Sequence, residues 1–405
     1  MMAPATIQKS LLPNGVRILS YPMATRSAAI GLWWLNGGRH QRPEQCGYAH
    51  LLEHLLFKGT AQYDAETLAR RFEAMGGRIN AHTGRELTAL HGLVPAENAP
   101  ELLDLLIALL LAPKFNEQDA ALERNVVLQE MALIAGQPAE RLEERGIALT
   151  WPDHPIGWPL LGRREVLEQV SARALHDYLA TQLSGDRLYV VAAGAMDHAE
   201  LARRCAPLAA LPGGGAPVQP PPRHVTGTHR ETSGERQRLL LWIMPAPAAS
   251  HPDFPALLVA NHLLAGGVSS RLFQELRERR GLVYDIRSRH EVYSDTGLWF
   301  IQTACDAKEA ENCRRAVEEA LQQLIRFGPR PAELETAQRH LRADLLIEAD
   351  DPDSVMERLA REAIYLKHHP SLLERSEQLA AVTPARISEL LKRAVERATC
   401  LEDGG

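Results

Sequence analysis

The sequence lacks the features that mark several classes of protein. Its longest apolar runs, 105–112 and 188–196, fall far short of the ~20 residues that span a membrane. Five cysteines are scattered without a Cys-x-x-Cys pair, which excludes a disulfide scaffold and a cysteine-based structural zinc site. Lys and Arg total 45 against 51 Asp and Glu, so the net charge is −6 and we do not expect nucleic-acid binding.

The N-terminal residues and the thiols bear on location. Residues 1–12 contain one lysine and no apolar stretch, so we expect no secretory signal. Five unpaired thiols fit a reducing compartment, and we therefore expect a cytoplasmic protein. A chain from which a signal has been removed would look the same, so a periplasmic location is the alternative.

A run of glycine and proline divides the chain. Residues 212–222 hold three glycines and five prolines in eleven positions, which neither a helix nor a central strand accommodates. The length of 405 residues suits two or three globular domains. We predict an N-terminal domain over 1–211, a linker over 212–226 and a C-terminal domain over 227–405.

The two halves resemble each other. EHLL at 53–56 and NHLL at 261–264 lie 208 residues apart, while WPDHP at 151–155 and KHHP at 367–370 end 215 residues apart. These matches predict a duplicated domain, although two matches alone leave chance as the alternative.

Strands and helices interleave in each half. Alternating apolar residues predict strands, and apolar residues that recur every three or four positions predict helices. We therefore predict an α+β fold of two homologous layered α/β domains, each an antiparallel-rich sheet with helices packed on it. The predicted strands are 16–20, 30–35, 77–81, 89–94, 188–193, 239–244, 283–288 and 298–304, and the predicted helices are 47–57, 65–75, 99–111, 117–133, 139–149, 172–182, 254–265, 270–280, 308–327, 331–347 and 354–365.

One segment of the first half carries the chemistry. In GYAHLLEHLLF at 47–57, His50 and His54 lie one helical turn apart on one face, where two imidazoles can bind one Zn²⁺. Glu53 shares that face and can act as a general base toward water, in an order that inverts a common zinc motif. The alternative is a surface helix with two polar histidines. The flanking leucines favour instead a buried helix whose polar stripe needs a partner.

A catalytic zinc takes three protein ligands, so a third is expected elsewhere in the chain. The acidic helix predicted at 117–133 contains Glu123 and Glu130, which are seven residues apart and share a face. One can ligate the metal while the other orients a ligand. Each acid by itself is more often a solvated surface residue, so the residues alone leave the choice open.

The segment 50–60, which includes FKGT at 57–60, resembles the pitrilysin/insulinase family of inverted-motif zinc peptidases. It is most similar to the short two-domain members related to mitochondrial processing peptidase. That family places a third ligand about 76 residues after the second histidine, with another glutamate seven positions earlier. Glu130 and Glu123 stand at these positions after His54.

The resemblance implies a ligand set and a reaction. By it, His50, His54 and Glu130 hold one Zn²⁺ in the N-terminal domain. Glu53 is then the catalytic base, and Glu123 supports catalysis beside the ligands. The chain is accordingly expected to be a zinc metalloendopeptidase that hydrolyses short or unfolded peptides inside a two-domain chamber.

GGRINAHT at 76–83 resembles the family's active-site edge strand, along which a peptide substrate would pair main chain to main chain. The family usually has an aromatic residue where this chain has Leu90, a difference that would alter a pocket. The strand residues implied to bind substrate are Asn80, Ala81, His82 and Thr83.

GGVSSRLFQELRERRGLVY at 266–284 resembles the family's signature in the second half. The resemblance gives Arg277 and Tyr284 catalytic and substrate-binding roles, holding the substrate carbonyl and stabilising the oxyanion. Only His262 repeats the zinc motif, which implies a degenerate C-terminal domain without metal. Family members usually end in an apolar strand, whereas this chain ends ATCLEDGG, so we expect that strand to be short or missing.

The resemblance also bears on partners. Short family members act as homodimers or as heterodimers with a homologue that lacks the zinc motif. This chain carries both signatures, so we expect a homodimer acting on peptides, with the heterodimer as the alternative and no nucleic-acid or membrane partner. Two other functions are alternatives: a maturation peptidase dedicated to one precursor or leader peptide, working with a partner subunit, and a non-catalytic scaffold subunit of the same fold.

Overall fold

The computed structural model describes residues 6–215, 219–230 and 236–404. These residues fold into two compact units whose segments alternate along the chain. Residues 216–218 of the predicted linker lie outside the described residues. The first unit contains the described residues of Met1–Ala132, Trp158–Pro220 and Glu348–Lys367, and the second those of Leu133–Gly157, Pro221–Ile347 and His368–Gly405.

Two sheets are built from strands that the alternation of apolar residues largely anticipated. Every predicted strand is present within four residues of its expected ends, and three strands were not predicted, at 8–11, 227–230 and 399–404. The strands of the described residues are β1 Gln8–Leu11, β2 Arg17–Pro22, β3 Ser27–Trp34, β4 Arg78–Thr83, β5 Thr88–Pro95, β6 Leu188–Gly194, β7 Gly227–Arg230, β8 Gln237–Pro245, β9 Val283–Val292, β10 Gly297–Asp306 and β11 Thr399–Gly404.

Most helices begin where the sequence supplies a cap or a proline. Asp, Ser or Thr side chains accept a hydrogen bond from the first turn of six of them, which satisfies backbone donors that have no partner within the helix. No helix among the described residues has the length and apolar character needed to cross a bilayer. The helices are α1 Tyr48–Leu56, α2 Ala65–Met75, α3 Ala99–Leu111, α4 Glu117–Ala135, α5 Pro138–Thr150, α6 Arg164–Leu167, α7 Ala172–Gln182, α8 His198–Arg204, α9 Phe254–Ala265, α10 Ala310–Phe327, α11 Pro331–Glu348, α12 Pro352–Arg361, α13 Leu372–Ala380 and α14 Pro384–Val395, and π-helical turns occupy Phe273–Arg279 and Glu362–Leu366.

The first unit is a six-stranded sheet in the order β1-β2-β6-β3-β5-β4. β2 and β6 pair in parallel, and all other neighbours are antiparallel. Both faces of β3 and β6 are buried, since α1 and α3 contribute to the core on one face and α12 covers the other. β4 forms one edge of this sheet and pairs only with β5 among the described strands, as the resemblance implied.

The second unit is a five-stranded sheet in the order β7-β11-β8-β10-β9. α9, α10 and α14 form the core on one face, and α5 packs on the other. The prediction of a short or missing last strand is wrong, because β11 lies inside the sheet between β7 and β8. β11 contributes one buried leucine, Leu401, to the packing against β8. The carboxylate of Asp403 on the same strand is paired with Arg141 of α5.

The two sheets share one topology. Counted from β2 and from β7, each places its strands in the order first, fifth, second, fourth, third, with the first and fifth in parallel. A shared order and a shared parallel pair are what a duplicated domain produces. The predicted α+β fold of two similar layered domains is therefore confirmed.

The compact units depart from the predicted domains at two helices. α5 lies within the N-terminal half of the sequence but belongs to the second unit, where Leu142 and Ile147 join a core with β8 and β11. α12 lies within the C-terminal half but belongs to the first unit, where Val355 and Met356 pack on β3 and β6. Periodicity shows that each helix has an apolar face but not which sheet that face covers.

Candidate metal centre

α1 begins at a glycine that no other residue can replace without strain. Gly47 has a left-handed backbone with φ of +102°, and a Cβ there would lie 2.7 Å from Cα of Gly162 and 2.8 Å from the carbonyl oxygen of Leu161. The first turn of α1 is thereby packed directly against the backbone of 161–162. The position of the helix that carries the histidines depends on this contact.

Gly47→Ala is expected to lower the free energy of unfolding by about 3 kcal/mol, because it adds a steric clash to a left-handed backbone. Gly281→Ala is the matched control: its φ is +61°, but a Cβ there meets nothing within 4 Å. The control should lose only about 1 kcal/mol. Urea denaturation of both variants measures the difference, and equal losses would show that the approach to Gly162 does not constrain α1.

Gln41 holds the same end of α1. Its buried side-chain oxygen accepts hydrogen bonds from the backbone N–H groups of Gly47 at 2.9 Å and Ala49 at 3.2 Å. Sequence reasoning missed this residue, because local caps are sought at Ser, Thr, Asp or Asn immediately before a helix. A glutamine six positions upstream carries no such signal.

Three side chains from α1 and α4 converge. Nε2 of His50 and Nε2 of His54 lie 3.8 Å and 3.9 Å from Oε2 of Glu130, and one ligand atom from each residue lies within 4.8 Å of the others. Zinc bonds of about 2.0–2.2 Å in tetrahedral geometry separate ligand atoms by about 3.3–3.6 Å. The three side chains therefore fit a single ion if their ligand atoms move slightly closer together.

The protonation state of His50 is the one that a metal ligand requires. His50 is buried, and its burial, reinforced by nearby His54, lowers its pKa to about 4. The ring is therefore neutral near pH 7, as metal binding requires. Among the described residues, Nδ1 of His50 has no hydrogen-bond partner.

The other histidine is oriented by the second acid of α4. Nδ1 of His54 lies 3.0 Å from Oε2 of Glu123, and the other oxygen of that carboxylate is paired with Lys58. A carboxylate can only accept, so His54 donates from Nδ1 and keeps the lone pair on Nε2 facing Glu130. The structure therefore separates the two acids that the sequence left undecided: Glu130 faces both imidazoles, and Glu123 lies behind one of them.

Glu123→Gln is expected to weaken Zn²⁺ binding by about 10–100-fold, because an amide no longer fixes the tautomer and orientation of His54. Competition with a chelating dye measures the affinity. Glu101→Gln, which breaks an ion pair with Arg71 on the surface of the same unit, is the control and should leave the affinity unchanged. An unaltered affinity in Glu123→Gln would show that the contact to His54 does not tune the site.

Glu53 lies beside the cluster without joining it. Its Oε2 accepts a hydrogen bond from the hydroxyl of Thr83 at 2.5 Å. Burial raises the pKa of Glu53, and the hydrogen bond from Thr83 opposes that rise. A carboxylate with a raised pKa next to a metal-ligating face is suited to proton transfer.

The edge strand β4 presents its predicted substrate residues to two different faces. Thr83 points toward α1 and Glu53, whereas His82 packs on the opposite face with the rings of Trp33 and His91, 5.8 Å and 5.7 Å away. Ala81 packs against the main core, and Asn80 is exposed. The side chains are thus not gathered at one point, and what these residues share is the backbone of an edge strand.

Arg277 and Tyr284 belong to the second unit, where the structure brings them together. The guanidinium of Arg277 lies 4.9 Å from the centre of the Tyr284 ring and 4.7 Å from that of Phe273, and Tyr284 is 83% exposed. Their roles stay a prediction. His262 stacks on the ring of His340 at 4.4 Å, and the described residues contain no second cluster of three potential ligands.

Comparison with known proteins agrees with this architecture. The model of the family described as "Insulinase (Peptidase family M16)" matches residues 17–164, and that of the "Peptidase M16 inactive domain" matches 169–341. An uncharacterized zinc protease of Bacillus subtilis is 30% identical over 96% of this chain and 95% of its own length. One of Mycobacterium tuberculosis is 30% identical over 96% of this chain and 91% of its own.

Solved structures share the fold. A crystal structure of a protease from Helicobacter pylori matches with a TM-score of 0.90 at 19% identity, covering 98% of this chain and 99% of that one. A peptidase M16 inactive domain from Pseudomonas fluorescens also matches with a TM-score of 0.90, at 18% identity. The sequence and the fold together define a protein of the zinc-peptidase class. The chain belongs to the insulinase family, peptidase family M16, as its motifs predicted.

Proposed function

We propose that this chain is a zinc metalloendopeptidase that hydrolyses peptide bonds in short or unfolded peptides. The observation that carries the proposal is the convergence of His50, His54 and Glu130, with the carboxylate of Glu53 next to them. Zinc proteases among the relatives, similar over nearly the whole chain, support it. When bound, Zn²⁺ supplies the Lewis acidity that polarises a peptide carbonyl and makes water more acidic.

The chain's own residues have distinct tasks in this proposal. His50, His54 and Glu130 hold the ion, and Glu123 keeps His54 in the tautomer that binds it. Glu53 accepts a proton from the attacking water and returns it to the nitrogen of the leaving amine. Its burial supports this role, since burial raises the pKa of Glu53 and so favours the form that holds a proton taken from water.

Substrate binding is proposed along β4. An edge strand offers unpaired main-chain groups to an extended peptide, and Asn80 and Ala81 lie in the middle of this one. A peptide must be extended to pair in this way, which favours unfolded segments over folded proteins. We also propose that the chain acts as a homodimer, because it carries both the metal cluster and the second-half signature with Arg277 and Tyr284, and so needs no partner to supply either.

The test is cleavage of a library of unstructured peptides, with a folded protein as the comparison. The zinc-loaded chain should cut peptides and leave the folded protein intact, lose the activity on treatment with EDTA and regain it with Zn²⁺. Light scattering of the same sample reports the assembly state. A chain that holds one zinc ion and cuts no peptide would overturn the proposed activity and favour a scaffold role.

A further inference from the structure

We propose that Thr83 is a positioning residue that holds the carboxylate of Glu53 in its working orientation, an inference that rests on the function proposed above. The resemblance assigns Thr83 to substrate binding through its strand. The structure points its side chain the other way, toward α1, with the hydroxyl 2.5 Å from Oε2 of Glu53. Thr83 is buried, so water does not compete freely for this hydrogen bond.

Counting protons fixes the direction of the contact. The hydroxyl of Thr83 lies 2.5 Å from Glu53 and 3.3 Å from the hydroxyl of Thr88, and Thr88 lies 2.7 Å from the carbonyl oxygen of Asn36. Each hydroxyl has one proton, and neither a carboxylate nor a carbonyl can donate. Thr88 therefore donates to Asn36, and Thr83 donates to Glu53.

The base is thereby held by a side chain that is itself buried in the sheet. Thr83 and Thr88 are directly opposite each other at the turn between β4 and β5, and Asn36 is fully buried behind them. The side-chain oxygen of Asn36 accepts a further hydrogen bond from Tyr178 at 2.7 Å. A glutamate has three rotatable side-chain bonds, and a hydroxyl carried by a buried strand residue selects one position for its carboxylate.

The location of Thr83 gives the contact a second consequence. Thr83 is the last residue of β4, the edge strand along which we propose that the peptide pairs. One residue thus belongs to the backbone that receives the substrate and supplies the side chain that orients the base. Orientation of Glu53 is then coupled to the order of β4.

Thr83→Val and Thr83→Ser separate the hydroxyl from the shape of the side chain. Valine keeps the volume and should lower kcat about 10-fold with KM within about two-fold, since a hydrogen bond to a charged group is lost while the strand remains. Serine keeps the hydroxyl and should restore most of kcat. Thr399→Val, at a buried strand threonine of the second unit that donates to a backbone carbonyl, is the control and should change neither constant.

A cycle with Glu53→Gln shows whether Thr83 acts through the base. In the Glu53→Gln background, Thr83→Val should cause no further loss, whereas a general structural defect would lower the residual rate again. A rise in KM with kcat unchanged would overturn the inference and make Thr83 a substrate contact. An unchanged kcat in Thr83→Val would overturn it as well.

A readout that needs no turnover separates this inference from the proposed function. Crystal structures of the zinc-loaded Thr83→Val and Thr399→Val variants should show several positions for the Glu53 carboxylate in the first and one in the second. If the wild type cuts no peptide, the proposed function fails, and a single position of Glu53 in Thr83→Val would then remove the positioning role too. If the wild type cuts and that carboxylate stays fixed in Thr83→Val, only the positioning role fails.

Discussion

Glu53→Gln is expected to reduce peptide cleavage by about 10³-fold while leaving one zinc ion bound per chain. The amide has nearly the shape of the acid and can still accept a hydrogen bond from Thr83, but it cannot take up a proton. Zinc should remain, because Glu53 is not one of the three residues whose ligand atoms converge. Initial rates on one defined peptide, with metal quantified in the same sample, measure both effects.

The control for this variant is Glu66→Gln, which exchanges the same groups at an exposed position of α2 paired with Arg70. It should retain full activity and full metal content. Cleavage by Glu53→Gln within tenfold of the wild type would place the base elsewhere. Loss of zinc from Glu53→Gln would show instead that Glu53 helps to hold the ion.

His54→Ala should abolish both zinc binding and cleavage. It removes one of three ligands and, with it, the partner of Glu123, so a buried carboxylate paired only with Lys58 remains behind the site. Zinc content should fall from about one ion per chain to nearly none at micromolar free Zn²⁺, because two ligands from separate helices bind far more weakly than three. Elemental analysis after dialysis, together with the peptide assay, measures the outcome.

The second unit supplies the matched control, since His262 lies on α9 where a duplicated chain repeats the histidine of α1. His262→Ala makes the same substitution away from the cluster and should leave zinc and cleavage unchanged. If His54→Ala kept its zinc, the ion would have to bind outside this cluster. If His262→Ala lost it, the C-terminal unit would share in metal binding, against the degenerate copy that the sequence predicts.

The parts of the site that the sequence predicted are those set by local spacing. His50, Glu53 and His54 lie within five residues on one helix, so helical geometry alone places them on one face. Glu130 lies 76 residues after His54, in an acidic helical segment where it looks like an ordinary surface glutamate. Only the resemblance to a family singled it out, and the structure then shows it facing both imidazoles.

Other parts depend on contacts that no spacing encodes. Gln41 caps α1 from a preceding turn, and Thr83 of strand β4 donates a hydrogen bond to Glu53 of helix α1. Gln41 carries no signal in the sequence, and the resemblance implied Thr83 only as a substrate residue, because the partners of both side chains are fixed only when separate segments pack. The strand β11 was missed for a related reason. Charged and glycine residues follow its single buried leucine, so its composition does not indicate a strand. Hydrogen bonds to the strands on both sides, β7 and β8, stabilise it instead.

The exchange of α5 and α12 between the two units means that neither half of the chain contains all the helices that cover its sheet. Each of the two helices covers the same pair of strands by topology, the second and the fifth, in the unit whose strands come from the other half of the sequence. A fragment that ends at the linker 212–226 would therefore carry α5 without the sheet that α5 covers, and it would leave the apolar face of β3 and β6 that packs on α12 exposed.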